Sequence, residues 1–378
     1  MLLKAVSHPL GVTHRKLQTP LSRILKTMER FIHGIQQVGI GVADADAAFK
    51  WYRKFFGIDI LVFKDTAQAK LMKRYTGDVA QMRYAILAMN MQGGGGFEIW
   101  QYTEKKPAAP PFEIALGDLG IFATKIRCKD IAATHDFYKN ESVNILTQPS
   151  ANPENKKHFY IKDPYNNIFE IIEDDYWFAN EKKLTGAVCG VVIGVSDMEV
   201  SINFYSNVLD FNIVVSDTAS VYKDLESLQG SNRKCRRVIL RNNYKATGAF
   251  GKLLGPVYIE LIQAYDYQPK KIYKDRHWGD LGFIHVCFDV GNMQEHEKIC
   301  EAKNYPLTVN SANSFDMGEA SGHFAYNEDP DGTLIEYVET HKVSVAKKMG
   351  LYLNLKKRDP AKCLPNWVVR CLRFSRVK

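Results

Sequence analysis

Two residues in the last third of the chain are of the types that can coordinate a metal ion. His285 lies in GFIHVCF and Glu336 in TLIEYVE, each within a short apolar run that reads as a β-strand. Successive side chains of a strand point to opposite faces, so a histidine and a glutamate on neighbouring strands converge on one cavity. An imidazole nitrogen and a carboxylate oxygen are two of the donors a divalent cation requires. Taken alone, the pair also describes a buried histidine and a glutamate on a wet sheet face. Recurrence of the same layout elsewhere favours the metal reading, and the elements that would supply the remaining donors follow from that recurrence.

Self-comparison shows the recurrence. Val38, Ile40, Val42, Asp44, Tyr52 and Ile60 align with Val191, Ile193, Val195, Asp197, Tyr205 and Ile213 at a constant offset of 153. The shared unit is a strand of alternating apolar residues, an Asp suited to cap a helix, an amphipathic helix bearing a Tyr, and a second strand. A weaker copy begins at Gly120, where Tyr138 again follows Asp130 by eight residues; another begins at Gly282, with Asn292 at the cap and Cys300 in place of the Tyr. Each copy ends in a strand with an inward glutamate: Glu98, Glu170, Glu260 and Glu336. In the second and fourth copies that strand is entered through Asp163-Pro164-Tyr165-Asn166 and Asp329-Pro330-Asp331-Gly332, both turn sequences.

Four βαβββ units whose first and last strands supply paired polar side chains resemble the vicinal oxygen chelate superfamily. That group includes glyoxalase I, extradiol and hydroxyphenylpyruvate dioxygenases and bleomycin resistance proteins. The resemblance implies an α+β fold in which the units pair into two glyoxalase/dioxygenase-type domains with cup-shaped mixed sheets. The expected domains are residues 31–178 and 186–340, joined by a linker near residue 180, with a basic extension at 1–30 and a basic arm at 341–378.

In the family the first-strand ligand stands seven residues before the cap, which is Gln37, Ala123, Gly190 and His285 here. Ala123 and Gly190 have no donor, and one unit offers at most two ligands. If the first unit faces the fourth, the site is Gln37, Glu98, His285 and Glu336. If units pair in chain order, it is Glu260, His285 and Glu336. The first set resembles that of glyoxalase I and suits zinc, nickel, cobalt or manganese; the resemblance then implies a lyase or isomerase, lactoylglutathione lyase-like, that acts on a small α-oxygenated substrate through a metal-stabilised enediolate, with Glu336 as base and Glu98 as second candidate. The alternative is an Fe(II) dioxygenase, from whose two-His, one-carboxylate pattern Gly190 departs. A third reading is a metal-free, resistance-type binder. His323, before Glu336, is a candidate for orienting a ligand or substrate, although its counterpart His158 suggests a structural role. Gly93 to Gly96 lacks the Lys-Ser/Thr of a phosphate loop and reads as a flexible hairpin connection.

The net charge of +8 is carried by the ends. His341 to Lys378 holds eleven Lys or Arg against Asp359, and Met1 to Arg30 holds six against Glu29, which leaves the body between them at −7. An acidic body argues against a nucleic-acid enzyme. The apolar residues of the C-terminal arm interleave with its charges, as in an arm laid against the body with its charges in water. The longest apolar run, from Gly186 to Val195, has ten residues, too few to span a bilayer. Seven cysteines without a CxxC pair indicate a reducing, cytoplasmic setting. The N-terminal segment has no acid before Glu29 and reads either as a transit peptide or as a disordered extension ahead of Met28. The expected partner is a small molecule, with neither nucleic acid nor membrane, and the protein is expected to be a monomer or homodimer.

Overall fold

A computed structural model describes residues 29–312, 315–316, 320–346 and 350–377. The N-terminal extension before Glu29 lies outside the described residues. The first unit comprises β1 (Phe31–Gly41), α1 (Ala45–Phe56), β2 (Ile60–Gln68), β3 (Met82–Met89) and β4 (Gly96–Tyr102). The second comprises β5 (Gly120–Cys128), α2 (Ile131–Asn140), two-residue strands β6 (Asn144–Ile145) and β7 (Ser150–Ala151), β8 (Lys157–Lys162) and β9 (Ile168–Glu173). The third comprises β10 (Thr185–Gly194), α3 (Met198–Leu209), β11 (Ile213–Ser220), β12 (Cys235–Arg241), the short α4 (Gly251–Leu254) and β13 (Tyr258–Ala264). The fourth comprises β14 (Gly282–Gly291), α5 (Met293–Ala302), β15 (Val309–Asn310), β16 (Phe315–Asp316), β17 (Ala320–Glu328) and β18 (Leu334–Ala346); β19 (Leu351–Asn354) and α6 (Asn366–Arg370) follow.

The expected helix starts form as the capping chemistry requires. Asp44, Asp130 and Asp197 accept the amide N–H of Ala47, Ala133 and Val200. Asn292 stands at the fourth cap in the left-handed region at φ 64°, without a side-chain capping bond to the helix; its own N–H donates to Glu339. The repeated tyrosines tie units together: Tyr52 donates to Asp163 at 2.7 Å, and Tyr205 to Asp329 at 2.9 Å. In both cases the acceptor is the Asp of the following unit's Asp-Pro turn.

Two curled mixed sheets result. Antiparallel pairing of β1 with β14 joins the first and fourth units in a ten-stranded sheet, and pairing of β10 with β5 joins the second and third in a nine-stranded one. Each sheet therefore takes one unit from each half of the sequence. Period-two alternation divides the faces: Val38, Ile40, Val286 and Phe288 enter the common core with helix residues such as Tyr52, Phe56 and Phe204, whereas Gln37, Gly39, His285 and Cys287 occupy the other face.

The glycine run is a hairpin connection, but a buried one. Gly94 and Gly95 donate to Leu253 O and Val188 O, and Ala187 donates to Gly93 O, so the run bridges the two sheets. A Cβ on Gly96 would lie 2.1 Å from Ala88 O, and one on Gly94 2.6 Å from Val188 O. Close backbone approach, not flexibility, accounts for these glycines.

The C-terminal arm lies against the body. Leu355, Leu364, Val369 and Leu372 are buried with Ile60, Met89 and Leu253, while Arg373 and Arg376 pair with Glu181.

Candidate functional site

Strand register determines which side chains meet. In all four units the last-strand glutamate pairs, across a parallel ladder, with the residue two beyond the first-strand ligand position: Glu98 with Gly39, Glu170 with Lys125, Glu260 with Val192 and Glu336 with Cys287. The four units thus present equivalent positions, and β1–β14 pairing then faces the first unit's set toward the fourth's.

Gln37, Glu98, His285 and Glu336 come together in the ten-stranded sheet, all buried. His285 Nε2 lies 3.0 Å from Glu336 Oε2 and 3.6 Å from Glu98 Oε2. Gln37 Nε2 donates to Glu336 at 3.1 Å and to Glu98 at 3.3 Å. One donor atom from each of Glu98, His285 and Glu336 falls within a cluster no wider than 4.8 Å. The imidazole lies over Gly39, where a Cβ would meet it at 2.3 Å. Only glycine leaves that space.

Burial and charge set the two carboxylates apart. Glu98 is pushed up to about 7, first by burial and then by the neighbouring Glu336 charge. Burial also acts to raise Glu336, but His285 outweighs it and holds that carboxylate below its ordinary value. His285 is itself raised: burial opposes its charge, and Glu336 and then Glu98 more than compensate.

These residues fit a divalent cation. Two buried carboxylates against one imidazole leave excess negative charge, and Gln37 Oε1 and His285 Nδ1 are buried without a hydrogen-bond partner. The site would offer carboxylate, imidazole and amide donors. Beside it opens a cavity of about 330 Å³ walled by Leu87, Met89, Trp100, Trp278, Phe324 and Tyr326, among others. Leu372 of the C-terminal arm closes part of it.

Glu260 does not join His285. It lies on β13 in the nine-stranded sheet, where Lys125 Nζ is 2.7 Å from it and Arg237 Nε 2.5 Å. The set Glu260, His285 and Glu336 is therefore corrected: units do not pair in chain order. Lys125 also contacts Glu170, which accepts from His158 Nδ1 at 2.7 Å. Asp224 completes the cluster, 2.5 Å from Arg237 and 3.2 Å from His158 Nε2. Burial raises Glu170, but Lys125 and His158 overcome this and hold it far below the carboxylate range.

His158 is thus part of a structural network. His323 bonds Asn310 at 2.6 Å instead of a residue of the glutamate cluster. Lys125 and Arg237 escaped sequence reasoning because both lie outside the ligand positions. Their signal was a charged residue facing inward on an apolar strand, in GIFATKIRC and CRRVILR.

A family model described as the Glyoxalase/Bleomycin resistance protein/Dioxygenase superfamily matches residues 34–171 and 190–337. Glyoxalase I from Zea mays has a similar fold, with TM-score 0.51 and 14% identity over 82% of this chain and 92% of that one. A putative dioxygenase from Bacillus subtilis gives TM-score 0.53 and 12% identity over 82% and 85%. At such identity the likeness concerns the fold. A search of curated protein sequences gives no match.

Proposed function

Since the chain belongs to the Glyoxalase/Bleomycin resistance protein/Dioxygenase superfamily, we propose that it is a metal-dependent, glyoxalase I-like lyase or isomerase acting on a small α-oxygenated substrate. The observation that carries this reading is the convergence of Gln37, Glu98, His285 and Glu336, from two units, on one apolar-walled cavity. A zinc, nickel, cobalt or manganese ion held by these four residues would act as a Lewis acid toward adjacent substrate oxygens, favouring loss of a neighbouring C–H proton as an enediolate forms.

Glu98 and Glu336 are both placed to accept that proton: without metal, burial and the Glu336 charge raise Glu98 to about 7, and His285 at 3.0 Å holds Glu336 ionised. Trp100 and Trp278 line the cavity that the buried Glu98 carboxylate faces.

Two other readings have less support. An Fe(II) dioxygenase site uses two imidazoles and one carboxylate, and here a single imidazole joins two carboxylates. A metal-free binder would leave those two buried carboxylates with a single imidazole to offset them. The free state of all seven cysteines supports a reducing, cytoplasmic setting, and among the described residues no helix is long and apolar enough to cross a membrane.

The test is elemental analysis of purified protein beside His285→Ala. We expect about one equivalent of divalent metal in the parent, falling at least tenfold in the variant. Equal content in the two would overturn the assignment, and bound iron with oxygen uptake would favour the dioxygenase.

A further inference from the structure

The cavity has a second polar pole, and a β-bulge creates it. In the β1–β14 ladder Ile35 pairs with Phe288 and Gln37 with Cys287, so Gln36 is an extra residue without a partner. Adjacent residues of a regular strand face opposite ways, but a bulge re-aims one of them. Gln36 and Gln37 accordingly both line the cavity. Gln37 serves the glutamate cluster. Gln36 Nε2 reaches Asp289 at 3.4 Å and Thr340 at 3.3 Å.

Asp289 and Thr340 share the cavity face with the metal-site residues. Asp289 stands four residues beyond His285 on β14, and Thr340 four beyond Glu336 on β18, a spacing that returns each side chain to the same face. Asp289 is 3% exposed and lines the cavity beside Gln36 and Thr340. Among the described residues no lysine or arginine forms an ion pair with this carboxylate, and burial pushes it up to about 7. No metal-site residue bonds it. A buried carboxylate facing a cavity retains acceptor capacity for a ligand's hydroxyl.

The cavity also restricts the body of the ligand. Its lining cations are Arg83 and Lys70. Arg83 is held by the carbonyl and carboxylate of Asp65, both at 2.9 Å, and Lys70 is exposed at the mouth. A polyanionic ligand finds little charge complement there.

We propose that Gln36, Asp289 and Thr340 form a substrate-anchoring subsite for the hydroxyl of an apolar ring or chain whose opposite end, bearing two adjacent oxygens, lies at Gln37, Glu98, His285 and Glu336. The inference rests on the metal-enzyme reading for the second pole, and the two are separable by experiment. Acetohydroxamic, benzohydroxamic and 4-(hydroxymethyl)benzohydroxamic acids each present two adjacent oxygens, and the last two add an apolar body without and with a hydroxyl. Their dissociation constants are read from quenching of Trp100 and Trp278 fluorescence in zinc-loaded and zinc-free protein.

The expected order is 4-(hydroxymethyl)benzohydroxamic tighter than benzohydroxamic by about tenfold, the size of one hydrogen bond to a charged group, and acetohydroxamic weakest. Asp289→Asn and Thr340→Val, which preserve shape, should erase the first step and leave benzohydroxamic acid binding unchanged. Equal binding of the two aromatic acids to the parent, or a hydroxyl preference that survives both variants, overturns the subsite and leaves the metal centre intact. Loss of the zinc dependence alone overturns the metal centre, while the hydroxyl preference still decides the subsite. No binding of any of the three acids to zinc-loaded protein overturns both.

Discussion

The two cups start from one layout and meet opposite fates. Each collects two last-strand glutamates from facing units: Glu98 and Glu336 in one, Glu170 and Glu260 in the other. Two buried carboxylates need a counter-charge, since desolvation and mutual repulsion both oppose ionisation. In the nine-stranded sheet the chain supplies it covalently, through Lys125 between the glutamates and Arg237 beside Glu260. In the ten-stranded sheet it supplies one imidazole and leaves Gln37 Oε1 unpartnered. Where a first-strand donor is lost, at Ala123 and Gly190, a long cationic side chain fills the space; Lys125 Cδ lies 3.0 Å from where a Cβ on Gly190 would stand. One cup is sealed by its own ammonium, and the other holds its two carboxylates around a single imidazole.

The most severe way to break this comparison is to remove the internal cation. Lys125→Met would leave Glu170 and Glu260 buried with only His158 and Arg237 to offset them, and removing one partner of such a buried network costs about 3–5 kcal/mol. Denaturant unfolding should show the loss as a lower midpoint at unchanged slope. His285→Ala in the other cup, compared in chelator, should be far milder, because Glu98, already raised to about 7, can take up a proton in place of the lost imidazole charge. Equal losses would mean that the two cups do not differ in kind.

The pH dependence sharpens the same contrast, because the cups have slopes of opposite sign. Glu98 is raised in the folded state from 4.5 to about 7. The native, metal-free protein therefore binds more protons than the unfolded chain in that window, and stability falls as pH rises through it. Glu98→Gln should reduce the fall, to which Asp289 also contributes, and stabilise chelated protein at pH 8 by about 1–3 kcal/mol. Glu170 is held far below its unfolded value by Lys125 and His158. Its contribution is complete above the unfolded pKa and lost only as pH drops through the acid range. Stability measured from about pH 2 to 8 for the parent, Glu98→Gln and Glu170→Gln separates the two slopes; a flat parent profile above about pH 5 in chelator that Glu98→Gln leaves unchanged would contradict the placement of Glu98.

Much of this was legible in the sequence. The offset of 153 and the eight-residue Asp-to-Tyr spacing identify the units, because a capped helix docked on a strand demands that spacing wherever it recurs. Counting back from the cap also finds Gln37, Ala123, Gly190 and His285 at equivalent register positions. Which units share a sheet was not legible. Pairing of β1 with β14 is a contact across some 250 residues, and strand edges of near-identical units carry no local signal of their partner. Gln36 escaped for a different reason: strict alternation points it away from Gln37, and the bulge that re-aims it is a property of the ladder with β14. Lys125 and Arg237 were visible as charges on apolar strands, but their meaning depended on knowing that Glu170 and Glu260 face each other.

The smallest expected effect isolates burial as the variable that separates the cups from the surface. Arg236 and Arg237 are consecutive on β12 and point to opposite faces. Arg236 pairs with Glu199 at 2.6 Å and with Asp217 at 2.7 Å, in a cluster whose acids are well exposed. Arg237 pairs with Asp224 and Glu260 at similar distances, without exposure. Contact geometry alone would rank the two arginines as equals. Water screens the first cluster and holding its long side chains costs entropy, so Arg236→Ala should change stability by less than about 1 kcal/mol, and by less still in added salt. Arg237→Met should cost several times more and be insensitive to salt, because the carboxylates it leaves behind cannot be reached by counter-ions. Matched salt titrations of unfolding for the two variants check this, and comparable losses with comparable salt dependence would show that the second cup is wet and that its internal cations do not seal it.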